Sequence, residues 1–204
     1  MSEVTSFSVD SMVRALDAMQ SAAHHHEECT WIAGTGKAEL YVRDRIGANL
    51  AKIHPELIIA REWGTNKHDL AILNNRAEAL AVVEGKHLFD FDLSVSSIRN
   101  RYQKWIQKDC EKLAASGSSQ RLLTLLMTSF RGEVPPHLER VVKYGPGSNK
   151  FFKKHGYEAT PLAVEEAGCF LEEFGSVVHR RELSVGHFHE LPTCLWIWIV
   201  DTSR

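Results

Sequence analysis

Two strand-like segments lie close together in the middle of the chain, and the short connection between them limits how they can pair. His68–Leu73 and 79–88 are separated by the five residues 74–78. A connection of this length joins antiparallel neighbours, whereas parallel strands need a crossover of a dozen or more residues. The sequence therefore predicts a β-hairpin over residues 68–88.

The spacing within this hairpin brings two acidic residues and a lysine together. If Leu73 faces Leu80 across the turn, antiparallel register places Asp69 opposite Glu84. Side chains alternate between the two faces, so Lys86, two residues beyond Glu84, is expected on the same face. A slip of one residue would send the two acids to opposite faces. The register predicts one polar cluster on an otherwise apolar sheet.

A third acidic residue comes from the amphipathic helix predicted at 37–54. At about 100° per residue, Glu39 lies within roughly 60° of the apolar stripe of that helix, while Asp44 points to solvent. The stripe consists of Val42, Ile46, Leu50 and Ile53. A charged residue on a buried face is costly unless it is paired or bound to a metal. Glu39 is therefore the candidate partner of the hairpin acids.

The remaining hydrophobic pattern predicts a mixed sheet with helices around it. Further helices are predicted at 10–28, 94–115, 136–143 and 160–175, with breaks at 30–36 and 145–148. Further strands are predicted at 57–63, 122–127, 176–187 and 193–200. The segment 122–127 is apolar throughout, which is typical of a strand covered on both faces. The fold class is α/β (α+β), with a central mixed β-sheet flanked by helices.

The chain has an inward Glu39 on a helix, Asp69 at the start of a strand, and Val82-Val83-Glu84-Gly85-Lys86 in the next strand. This combination resembles the PD-(D/E)XK, or restriction-endonuclease-like, nuclease superfamily. The motif spans roughly a quarter of the 204 residues. The pattern departs from the family at His68, where proline is common. Gly85 lies inside a strand, where a glycine allows a phosphate or metal to approach closely.

The resemblance implies a restriction-endonuclease-like core of order α-β-β-β-α-β and a nuclease that depends on Mg²⁺, with Mn²⁺ as a substitute. Asp69 and Glu84 would bind the metal, Glu39 would complete the site, and Lys86 would position the attacking water. DNA is expected as the substrate more than RNA, in restriction, defence or repair. A homodimer is expected because subunits pair in many relatives.

Two groups of basic residues are candidates for contact with nucleic acid. The formal net charge is −2, so any positive surface must be local. The candidates are Arg99, Arg101 and Lys104 on the helix 94–115, which also carries Lys108 and Lys112, and Lys150, Lys153 and Lys154 beside two phenylalanines. Basic side chains contact phosphates and aromatic rings stack on bases. A solvated helix face and an ordinary loop remain the alternatives.

Two other functions remain open. One is a binding module that keeps a nuclease fold without turnover. The other is a zinc enzyme built on His187, His189 and the run 24–26, although no HExxH spacing is present. The four cysteines are scattered, which favours reduced thiols. We expect one cytoplasmic domain over 1–204 without a membrane span, comprising a helical extension (1–36), a catalytic core (37–130) and peripheral helices with C-terminal strands (131–204).

Overall fold

The computed structural model describes residues 6–21 and 25–203, with the backbone alone at 25, 26, 184 and 185. Its strands are β1 (Ile58–Trp63), β2 (His68–Leu73), β3 (Ala79–Phe89), β4 (Gln120–Phe130), β5 (Ser176–Phe188) and β6 (Leu191–Asp201). They form one sheet in the order β1-β2-β3-β4-β6-β5. Its helices are α1 (Val9–Gln20), α2 (His25–Thr35), α3 (Glu39–Ile53), α4 (Ser96–Ala114), α5 (Gly145–His155) and α6 (Ala159–Glu172). The predicted mixed sheet flanked by helices is confirmed.

The sheet contains both kinds of strand pairing. The pairs β1–β2, β2–β3, β4–β6 and β5–β6 are antiparallel, whereas β3 and β4 are parallel and are joined by α4. The elements therefore follow the order α3-β1-β2-β3-α4-β4, which is the expected α-β-β-β-α-β sequence. Because β5 and β6 extend the same sheet beyond β4, a division at residue 130 runs through the sheet.

The hairpin register is confirmed over most of its length and is shifted next to the turn. Ala71 lies opposite Val82 as predicted, but Leu73 lies opposite Ala79 because of a bulge. The turn chemistry accounts for the shift. Asn74 Oδ1 accepts the backbone N–H groups of both Arg76 and Glu78, each at 2.9 Å, which fixes a compact loop.

Helices cover both faces of the sheet. One core cluster joins α1 and α3 to the sheet through Met12, Leu16, Val42, Ile46, Leu70 and Val83. The opposite cluster joins α4, α5 and α6 through Tyr102, Ile106, Phe151, Phe170 and Trp198. The strand β4 contributes Leu122 and Leu126 to the first cluster, and Leu123 and Leu125 to the second. The prediction that this strand is covered on both faces is therefore confirmed.

Several predicted helix boundaries were wrong. The residues predicted as one helix at 10–28 fall in two, α1 and α2, with 22–24 outside the described residues. Of the two glycines at 30–36, Gly34 lies inside α2, where its Cβ would lie 2.7 Å from the Phe188 ring, and Gly36 directly follows the last residue of the helix. Residues 136–143 form turns, and 145–148 begin α5, where Pro146 fits a first helical turn that needs no N–H.

No helix among the described residues is long and apolar enough to cross a membrane.

Gly175 gives a test of the packing between α6 and the end of the sheet. A Cβ at this position would lie 2.3 Å from the backbone oxygen of Asp201, so Gly175→Ala should lower the free energy of unfolding by about 1–3 kcal/mol. Gly168→Ala is the matched control, because its Cβ would meet only Trp198 Nε1 at 4.0 Å and alanine favours the helix. Urea unfolding of both variants checks the difference. Equal stability would contradict the packing.

Candidate functional site

The strand β3 extends past the beginning of β2, and its unpaired edge organises the candidate site. Pairing between the two strands ends at Leu70 and Val83. Beyond that point, three alternate backbone N–H groups of β3 donate to carboxylates instead of to a strand. The pairs are Gly85 with Asp69 Oδ2 (2.7 Å), His87 with Glu39, and Phe89 with Asp92 Oδ2 (2.9 Å). Backbone groups left without a partner are costly, so the edge itself gathers acidic side chains.

Glu39, the first residue of α3, points to the sheet as its helical position predicts. Its carboxylate accepts the N–H of His87. Burial raises the pKa of Glu39, and Asp69 adds to this rise, whereas Lys37 and Lys86 lower it. The carboxylate therefore lies close enough to both the hairpin acid and the hairpin lysine for their charges to interact.

A small cavity of about 30 Å³ lies between α3 and the sheet, and Glu39 and Asp69 both line it. Arg43, one turn after Glu39, lines it as well, and its Nη1 is 3.8 Å from Asp69 Oδ1. Gly85 forms part of the wall. A Cβ there would lie 3.5 Å from Asp69 Oδ2 and 3.4 Å from Thr124 Oγ1. This volume can hold a water molecule, and the glycine keeps it open beside Asp69.

Glu84 lies at a different place, against α4. The residue is 2% exposed, and its Oε1 is 2.6 Å from Lys112 Nζ and 2.8 Å from His68 Nδ1. Burial raises the pKa of Glu84 to about 7, although the hydrogen bond from Lys112 acts in the opposite direction. Burial and the charge of Lys112 lower the pKa of His68, which favours a neutral imidazole. The pair formed with Lys112 is the stronger constraint on the carboxylate.

Lys86 is also held by α4. Its Nζ forms a salt bridge with Asp109 and lies 3.1 Å from the Gly85 carbonyl oxygen. Burial raises the pKa of Asp109, and Lys86 lowers it. Sequence reasoning missed Asp109 and did not connect Lys112 with Glu84. The signal was the spacing of three residues on one helix, which places both side chains on one face.

That Asp69, Glu84 and Lys86 form one cluster on one face stays a prediction, because their direct contacts differ: Asp69 contacts Gly85 and Arg43, whereas Glu84 and Lys86 contact α4. Asp69 reaches toward α3 and the edge of β3, whereas Glu84 reaches toward α4. Lys67, immediately before β2, has a φ of 50°, and the strand enters the sheet with His68 beside Glu84. Within residues 6–21 and 25–203, no three His, Cys, Asp or Glu side chains are grouped closely enough to hold a metal ion.

Asp69 nevertheless couples these groups electrostatically. Its charge raises the pKa of Glu39, Glu84 and Asp109. Repulsion of this kind between carboxylates favours the binding of cations among them. The residues predicted from the sequence thus lie in one electrostatic neighbourhood, with Lys86 and Lys112 as its counter-charges.

The basic residues predicted to contact nucleic acid are dispersed. Arg99 is tied to α6, with nitrogens 3.1 Å from Glu166 and 3.4 Å from Glu173. Arg101 lies over the ring of Trp105 at 5.9 Å, and Lys104 is exposed beside it. Lys150, Lys153 and Lys154 are exposed on α5. The lysines that line a cleft with Lys86 are Lys108 and Lys112.

The histidine alternative gains no support from the described residues. His187 and His189 are exposed near the turn between β5 and β6, whereas Cys194 is buried and burial raises the pKa of its thiol to about 12. Residue 24 and the side chains of His25 and His26 lie outside what the structure describes.

His87 gives the site a test that depends on pH. Burial lowers its pKa to about 3, and its Nε2 is 2.9 Å from Thr128 Oγ1. The unfolded chain takes up a proton below about pH 6.5, while the folded protein does not. Stability should therefore fall as the pH decreases, with this residue contributing about 2 kcal/mol between pH 7 and pH 5.

Urea unfolding at the two pH values, with wild type beside His87→Gln, checks this expectation. The variant should lose less stability on acidification by about that amount. The exposed His137 supplies the control variant His137→Gln, which should keep the wild-type difference. An unchanged difference in His87→Gln would show that the imidazole titrates normally.

Comparison of the chain with protein-family models, with curated proteins and with solved structures found no match.

Proposed function

We propose that the protein is a metal-dependent nuclease that hydrolyses phosphodiester bonds, with DNA as a more suitable substrate than RNA. The observation that carries the proposal is the edge of β3, where Glu39 and Asp69 accept amide hydrogens two residues apart and line one cavity under Gly85. The order α3-β1-β2-β3-α4-β4 supports it, because the family resemblance implies this core.

Glu39 and Asp69 supply two carboxylates for a hard divalent cation, and water would have to complete its coordination because no three such side chains are grouped among the described residues. Mg²⁺ and Mn²⁺ prefer carboxylate oxygens and water as ligands. Gly85, which has no Cβ, leaves space next to Asp69. Glu39 and Asp69 would hold the ion, and Glu84 is the third candidate, now bound to Lys112 and His68. When bound, the metal would supply an activated water and stabilise charge on the phosphate.

The other residues have roles that follow from their contacts. Lys86 carries a positive charge one residue from Gly85, where it would orient the attacking water and balance charge on the phosphate. Asp109 holds the ammonium of Lys86 in place. Arg43 does the same for Asp69, which it approaches from α3 while also binding Glu62 at 3.2 Å. These positioning contacts restrict the rotamers of the reactive groups.

A non-catalytic binding module is the second candidate, and one observation favours it. Both Glu84 and Lys86 are already paired with residues of α4, so each could serve to hold the helix on the sheet. A scaffold of this kind would not need metal. Mn²⁺ binding measured by calorimetry, together with turnover, therefore separates the two functions.

Cleavage assays test the nuclease. Supercoiled plasmid, single-stranded DNA and RNA are incubated with Mg²⁺ or Mn²⁺ and wild type, Asp69→Ala or Lys86→Ala. Metal-dependent cleavage should fall by about a hundredfold or more in either variant, because Asp69→Ala removes a proposed metal ligand and Lys86→Ala removes a positive charge beside the reacting phosphate. The matched controls are Glu172→Ala on α6 and Lys52→Ala at the end of α3, which remove exposed charges away from the cavity.

Cleavage that persists in both variants would place the activity elsewhere or in a contaminant. A folded protein that neither binds Mn²⁺ nor cleaves any substrate would support the binding module. The homodimer stays a prediction, and light scattering of the same preparation would test it. The roles in restriction, defence or repair also stay predictions.

Gly85→Ala tests the cavity without changing any charge. The new methyl group would make ordinary contacts, at 3.4–3.5 Å, so the fold should be retained. It would occupy the space beside Asp69, and we expect Mn²⁺ affinity and cleavage to fall by about tenfold or more. Gly132→Ala, whose Cβ would meet nothing within 4 Å, is the control. Wild-type metal affinity in Gly85→Ala would place the metal elsewhere.

A further inference from the structure

An open cleft of about 790 Å³ lies beside the candidate site, between the turn that precedes β2 and the helix α4. The turn contributes Thr65 and Asn66 to its walls, and β3 contributes Lys86. Lys112 Nζ donates to the backbone oxygen of Lys67 at 2.8 Å, which ties the turn to the helix. The two walls are therefore fixed relative to one another before any ligand arrives.

One face of α4 supplies an unbroken row of basic and aromatic groups to this region. Arg101, Trp105, Lys108 and Lys112 follow one another at spacings of four, three and four residues, which places them on one side of a helix. Over these residues the row is about 16 Å long, at 1.5 Å per residue. The helix thus presents a positively charged strip with one aromatic ring near its middle.

Trp105 is exposed and also held rigidly. Its side chain is 42% exposed. Its ring is nearly perpendicular to that of Tyr102, with 5.4 Å between the two ring centres, and Tyr102 is anchored by a 2.7 Å hydrogen bond to the carbonyl of His87. The guanidinium of Arg101 lies 5.9 Å from the centre of the Trp105 ring. An exposed aromatic ring that is fixed in orientation can stack on a flat ligand at little cost in entropy.

The charges of the cleft are only partly compensated. Lys86 is paired with Asp109, and Lys112 with Glu84. Glu111, the other acid on the wall, accepts a hydrogen bond from Gln107 at 3.3 Å. Lys108 forms no salt bridge with any residue that the structure describes, so its ammonium is available to a phosphate.

We infer that this cleft binds a single-stranded segment of nucleic acid, with one unpaired base stacked on Trp105 and a phosphate on Lys108. A base within a duplex is already stacked on its neighbours, and only an unpaired base can lie flat on a side chain. The cleft has the volume of a small-molecule site, which suits a few nucleotides of one strand. The inference rests on the proposed nuclease function and names its substrate form.

Fluorescence anisotropy with labelled oligonucleotides tests the inference. Single-stranded DNA, single-stranded RNA and duplex DNA of one length are titrated with protein in EDTA, which prevents turnover. Both single strands should bind more tightly than the duplex. Trp105→Ala should weaken binding of the single strands by about tenfold or more, and Trp105→Phe, which keeps a ring, should recover part of the loss.

Lys108→Ala should weaken binding and reduce the slope of log affinity against log salt by about 0.7, the value for one phosphate contact on a single strand. The controls are Trp31→Ala, which removes a 63% exposed tryptophan from α2, and Lys52→Ala on α3. Both should bind like wild type.

Equal affinity for single strands and duplex, or unchanged binding in Trp105→Ala, would overturn the inference. Because the titration contains no metal, its outcome is independent of the cleavage assays. Binding through Trp105 in a protein that never cleaves would refute the nuclease and retain the cleft. Cleavage that is unaffected by Trp105→Ala would refute binding in the cleft and retain the nuclease.

Discussion

The unpaired edge of β3 is the constraint on which the site depends. A strand that continues past its neighbour exposes amide groups that need acceptors, and here carboxylates take that place. Asp69 and Glu39 reach the edge from β2 and α3, and Asp92 reaches it from the turn after β3. Asp92 also accepts a hydrogen bond from the Tyr102 hydroxyl at 3.2 Å. The need of the backbone for acceptors therefore also concentrates negative charge at this edge.

The ion pairs between β3 and α4 form the second layer of this arrangement. Burying Glu84 without a partner would be very unfavourable, and Lys112 together with His68 offsets that cost. Lys86 and Asp109 repeat the arrangement two residues further along the strand. The helix is therefore held on the sheet by the same side chains that the nuclease hypothesis assigns to the site. This double use explains why the polar groups lie within an otherwise apolar interface.

The sequence was sufficient for the elements and their pairing, and insufficient for the directions of the side chains. Alternation and the five-residue connection predicted the hairpin, because both are local properties of the chain. Asp69 contacts Arg43 of α3 while Glu84 contacts Lys112 of α4, and no local pattern in the sequence specifies either partner. The pairing of Lys112 with Glu84 depends on how α4 lies across the sheet, which no local pattern specifies. Gly34 was misread for a similar reason, since a glycine required by packing resembles one that ends a helix.

Lys112 connects the two parts of the proposed function. Its ammonium binds the Glu84 carboxylate and the Lys67 carbonyl, and its side chain lines the cleft that Trp105 borders. A phosphate bound in the cleft and the carboxylate of Glu84 would therefore compete for the ammonium of Lys112. Hydrogen bonds to charged groups are strong and directional, so an ammonium drawn toward a phosphate weakens its hold on Glu84. If Glu84 is the third acidic ligand, as proposed, a phosphate bound in the cleft would make its carboxylate more available to the metal.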